Sequence, residues 1–108
     1  MAQVKADPTN ARRNFEQAAA MWDDRGFNDH ARKAMGVYST YMLALYLIAA
    51  KRLSIKAPHD AKVLERLLTM QSQNGGWITD YKDDLKPVGL ANVETSCLAI
   101  LALKSQEL

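Results

Sequence analysis

The chain has 108 residues, 48% of them hydrophobic, and 14 basic residues set against 12 acidic ones leave a net charge of +2. That size points to one domain over residues 1–108, with a core that is sizeable but not large, and the even charge balance, with no basic stripe, excludes a typical nucleic-acid binder. A single cysteine, Cys97, leaves no partner for an internal disulfide, and the N-terminal MAQVKADPTNARRNF has no apolar signal-peptide core, so a cytoplasmic location is expected.

Asp7-Pro8-Thr9 opens a first helix, because proline suits the first helical turn and either Asp7 or Thr9 can cap it. Ala11, Phe15, Ala18, Ala19 and Trp22 then share one face at helical spacing and carry the helix to about Met21. Asp23, Asp24, Gly26, Asn28 and Asp29 make a polar connection. Residues 37–50 form the most hydrophobic run, too short for the roughly 20 apolar residues a bilayer crossing takes, so no membrane span is expected. Ser39 instead caps a second helix, YMLALYLIAAK, which is apolar on nearly every side and must be covered all round.

A turn over 54–58 leads to a third helix, begun by Pro58, with Ala61, Leu64, Leu67 and Leu68 on its buried face and its end near Gln71. Gly75 and Gly76 supply left-handed backbone that stops it, and Trp77 follows at once, so the ring is held against the helix just finished. A long polar loop leads to Asn92, which caps a fourth helix with Glu94 favourably placed in its first turn. No stretch alternates apolar and polar for long enough to predict a strand. The expected fold is therefore all-α, with four main helices in two helical hairpins.

The two halves align. Gly26-Phe27 matches Gly76-Trp77 at an offset of 50, while Gly36, Leu45, Ala49 and Lys51 match Gly89, Leu98, Ala102 and Lys104 at an offset of 53. This divides the chain into repeat one, 8–53, and repeat two, 57–106. Stacked hairpins bury their faces against neighbours, and about three are usually needed for stability. The chain is accordingly expected to be a piece of a longer protein or to self-associate, covering the open faces of helices two and four.

Gln71, Gly75 and Trp77 have the Q-x3-G-x-W spacing that resembles the QW repeat of squalene and oxidosqualene cyclases. The later VETSCLAILAL resembles the inner-helix half of the wider prenyltransferase and squalene-oxidase repeat. That resemblance implies an α/α toroid of paired inner and outer helices, in which the Gln and Trp brace neighbouring hairpins.

Candidate chemistry is sparse. Asp80, Asp83 and Asp84 form DYKDD, and clustered carboxylates serve as a general acid with its partner or as a magnesium site for a diphosphate. Class II terpenoid cyclases protonate with DxDD, but the spacing here is DxxDD, and a solvated loop is the plainer reading. Asp23-Asp24 lacks the further aspartate of a DDxxD motif. Where protein prenyltransferase β subunits hold zinc with Asp-x-Cys, this chain has Glu94 and Ser96, with Cys97 one residue late and turned about 100° around the helix. His30 and His59 stand apart, so no metal and no cofactor is expected, and Cys97 reads as a small buried thiol. The GCGEQ of thioester domains, G-x-S-x-G and the P-loop are absent.

Gln71, Gly75, Gly76 and Trp77 read as a structural motif. Trp22, Tyr38, Tyr41 and Tyr46 are candidates to line an apolar ligand groove, with core packing as the plainer alternative. With no complete catalytic constellation, the functional expectation is a non-catalytic module that binds an apolar ligand or a protein partner, its partners being copies of itself or other repeats of a parent protein. The alternative is a fragment of an isoprenoid cyclase or prenyltransferase-like enzyme whose catalytic residues lie in other repeats.

Overall fold

The computed structural model describes residues 8–28 and 34–106. Along the chain run α1 (Pro8–Ala20), β1 (Tyr38–Ser39), α2 (Thr40–Arg52), α3 (Asp60–Thr69), β2 (Ile78–Tyr81), β3 (Pro87–Ala91) and α4 (Val93–Gln106). Asp7, Asp29 and His30 lie outside the described residues.

Helix α2 is the hub. It packs against α1, α3, α4 and β2, as an all-round apolar helix must, and Leu43, Ala44 and Leu47 lose all contact with solvent. Val63 and Leu67 of α3, Met70, Trp77, Tyr81, and Ala99 and Ala102 of α4 complete the core around it. At the far end of α2, Ser54 takes a left-handed conformation with φ 54°. Its N–H donates to the Lys51 carbonyl at 3.1 Å and the Ile55 N–H to that of Ala50 at 3.0 Å, so the helix stops in a Schellman motif. Helix α4 starts as expected: the Asn92 side chain accepts from the Thr95 N–H at 2.8 Å. Ser39 occupies the equivalent place before α2 but makes no side-chain capping bond.

The all-α expectation is corrected. Among the described residues four helices share the fold with a three-stranded antiparallel sheet in the order β1-β2-β3, so the architecture is mixed α/β and not an all-helical toroid-type array of hairpins. The segment read as a long loop folds back on itself: Lys82 N–H donates to the Lys86 carbonyl and Leu85 N–H to that of Lys82, with Leu85 at φ 69°. A turn ending in a left-handed residue is a common hairpin connection. Gly89, at φ 95°, makes a bulge where the β2–β3 register shifts between Ile78 and Asp80. Most of β3 is exposed, which removes the alternating apolar signal that would have announced a strand. Strand β1 is only two residues long, and it pairs Tyr38 with Tyr81 and Ser39 with Asp80, partners far off in sequence.

Candidate functional site

Helices α1 and α3 end in the same backbone hook. After α1, Met21 N–H donates to Ala18 O, Trp22 N–H to Ala19 O, Asp23 N–H to Gly26 O and Asn28 N–H to Met21 O. After α3, Met70 N–H donates to Leu67 O, Gln71 N–H to Leu68 O, Ser72 N–H to Gly76 O and Ile78 N–H to Met70 O. Each hook closes with an isolated antiparallel bridge, Trp22 to Phe27 in one and Gln71 to Trp77 in the other. In both, an aromatic residue follows the glycine and is buried, Phe27 at 3% exposure and Trp77 at 4%.

The second hook joins three elements. Trp77 Nε1 donates to Leu67 O at 2.9 Å, its backbone N–H to Ser96 Oγ on α4 at 2.8 Å, and Gln71 Nε2 to Gly75 O at 2.9 Å. The two glycines play different parts from the shared one expected of them. Gly75 alone is left-handed, at φ 95°, whereas a Cβ on Gly76 would press on Ala91 Cβ at 3.0 Å and Ser96 Oγ at 3.3 Å, so Gly76 answers to close approach.

Around the first hook the sheet is fastened by tyrosines. Tyr38 Oη donates to Asp23 Oδ2 at 2.6 Å, and its ring stacks on Tyr81 with centroids 5.3 Å apart. Tyr81 Oη donates to Arg25 O at 2.8 Å. Burial, then the Asp23 hydrogen bond and charge, push the Tyr38 phenol up to about 12, and burial pushes those of Tyr81 and Tyr46 upward as well. Asp24, left-handed at φ 74°, meets Lys62 at 3.0 Å in an exposed ion pair that holds its carboxyl below the usual carboxylate range.

Beside this hook lies an apolar cleft of about 670 Å³ between α1 and α2. Ala11, Phe15 and Ala18 form one wall and Met42, Leu45, Tyr46 and Ala49 the other, with Phe27 also lining it. The aromatic rings interlock, Tyr46 lying 4.8 Å from both Phe15 and Phe27. Trp22 stands behind, edge-on to Phe27 at 5.2 Å and stacked against His59 at 5.7 Å.

The four groove candidates therefore part company. Tyr46 lines the cleft, Trp22 backs the cluster, Tyr38 belongs to the sheet, and half-buried Tyr41 borders a separate depression with Thr79, Asn92, Glu94 and Thr95. Phe15, Phe27, Met42 and Leu45 were not singled out for the groove, although Met42, Leu45, Tyr46 and Ala49 recur at helical spacing along a single face.

The three acidic candidates are spread along the hairpin. Asp80 sits on β2, taking a hydrogen bond from Thr79 Oγ1, while Asp83 and Asp84 are exposed in the turn and Asp84 accepts from the Lys86 N–H at 3.1 Å. Among the described residues no group of three or more His, Cys, Asp or Glu side chains could hold a metal ion. Cys97 needs correction: it is exposed on α4 rather than buried. It belongs to an uncovered stripe with Val93, Ile100 and Leu101, which are 80%, 50% and 58% exposed. No described helix is long and apolar enough to cross a membrane.

No protein-family model matches the chain, and neither the curated proteins nor the solved structures contain a match.

Proposed function

We propose that the chain is a binding and assembly module, without catalytic chemistry of its own, whose site is the apolar cleft between α1 and α2. The observation that carries this reading is the cleft itself. Its volume, about 670 Å³, falls in the range of small-ligand and side-chain pockets, and its walls are almost wholly hydrocarbon and aromatic. A surface of that kind gains free energy by excluding water from an apolar occupant, and Asn14 and Arg52 are the polar and charged side chains that also line it. The scattered carboxylates give an enzymatic role no support.

The test is binding of the apolar fluorophore 1-anilinonaphthalene-8-sulfonate. Leu45 is 40% exposed on the cleft wall, so Leu45→Glu places a charge in the cleft without displacing core. The variant should keep its circular dichroism and lose most of the fluorescence enhancement, whereas Ile100→Glu on α4 should retain it. Equal enhancement in Leu45→Glu and Ile100→Glu would refute the cleft as a binding site.

A further inference from the structure

Helices α2 and α4 begin at Thr40 and Val93, each just after its capping position, Ser39 and Asn92, and they pack directly against one another. The offset of 53 that relates those starts also relates the two faces of each helix. Thr40, Ala44 and Leu47 of α2 are wholly buried, and their counterparts on α4 are Val93, Cys97 and Ile100, all exposed. The relation also runs the other way. Thr95, Ala99 and Ala102 of α4 are buried where that helix packs on α2 and β2, and their counterparts Met42, Tyr46 and Ala49 line the open cleft.

Beside its contacts with α1 and α3, α2 thus makes one contact with α4, and the counterparts of the two faces used in it are left without full cover. The face that α2 commits to the interior is left bare on α4, and the counterpart of the face that α4 commits forms a cleft wall on α2, where Met42 and Ala49 are half-buried and Tyr46 is buried against Phe15 and Phe27. We infer that the occupant of the cleft is the Val93, Cys97, Ile100 and Leu101 stripe of a second copy of this chain, the stripe taking the part that the buried face of α2 plays in the α2–α4 contact and the cleft wall the part of α4. This rests on the cleft being a binding site and names its partner.

The two halves lie on different helices and differ in shape, one a stripe and the other a recess. Because the contact repeats the relation of α2 to α4 from one copy to the next, it runs head-to-tail, and an assembly that does not close keeps a free stripe at one end and a free cleft at the other. A head-to-tail interface of this kind either closes into a ring or continues as an open array.

The experiment is sedimentation velocity on the full chain over a rising concentration series, with Leu45→Glu blocking the cleft and Ile100→Glu blocking the stripe. The unsubstituted chain should form species of two copies and more. Each variant alone should be monomeric, and an equimolar mixture of the two should give a species of two copies and nothing larger, because one intact stripe then meets one intact cleft. Alkylating Cys97, the only cysteine, should reproduce the Ile100→Glu result. Dimers of Leu45→Glu alone would overturn the inference in favour of stripe-to-stripe pairing. A monomeric unsubstituted chain whose cleft still takes up the fluorophore would overturn it while leaving the cleft as a ligand site, and loss of cleft specificity in the fluorophore assay would remove both.

Discussion

The indole nitrogen of Trp77 donates to the carbonyl oxygen of Leu67 at 2.9 Å, so the residue that follows the stop is bonded back to the helix it stopped. The same carbonyl accepts the Met70 N–H at 3.1 Å, which holds the indole against the last turn of α3. Trp77→Ala removes a ring that is 4% exposed and opens a cavity between α3, β2 and α4. The expected loss in chemical denaturation is about 3 kcal/mol or more. A loss under about 1 kcal/mol would mean that the ring does not brace the hook.

At the end of α2 a serine occupies a position that favours glycine. Ser54 has φ 54° and is exposed, so its Cβ sits close to a backbone carbonyl and gains no packing in return. Ser54→Gly relieves that strain and keeps both hydrogen bonds of the Schellman motif, at some cost in added freedom of the unfolded chain. A net gain of about 0.5–1 kcal/mol is expected, read as a higher denaturation midpoint with unchanged slope. A decrease would show that the serine side chain contributes more than the conformation costs.

Stability should fall in alkali, for a reason that can be located. A tyrosine phenol ionises near 10 in an unfolded chain, and in the fold Tyr38 is held up to about 12, first by burial and then by Asp23. The folded chain keeps that proton longer than the unfolded one. The contribution is therefore complete below about pH 10 and is lost as the pH rises through about 12. Tyr38→Phe should flatten the decline in unfolding free energy across that window. Part of the slope will remain, because the phenols of Tyr81 and Tyr46 are also pushed upward. Parallel curves for the variant and the unsubstituted chain would rule out Tyr38 as a source of the alkaline loss.

Some of the fold was open to reading from local signals. Asn92 before a run of small and apolar residues announces α4, and its side chain does cap that helix. Gly75 and Trp77 announce the end of α3, where the left-handed turn and the buried ring are both found. The strands were missed because their causes are remote or ambiguous. Tyr38 and Ser39 read as the approach to a helix, and only Tyr81 and Asp80, far along the chain, make them a strand. The face of β3 that meets water carries no apolar rhythm, and Gly89 and Pro87 look like loop residues until a bulge and an edge account for them.

The cleft was legible as composition but not as a place. Four aromatic residues were candidates, yet only Tyr46 lines it, because the direction in which each ring points depends on which neighbour covers the rest of its helix. Cys97 makes the same point in reverse. A small thiol in an apolar helix reads as buried, but that side of α4 lacks the cover that α2 receives.

The end of α3 and the start of α4 could be read along the chain, since caps, glycine turns and side-chain spacing act within a few residues of one another. That a sheet joins the helices, and which apolar faces stay open, was settled in three dimensions. Strand pairing and burial are set by contacts between residues distant in the chain, and no local pattern records which partner will arrive.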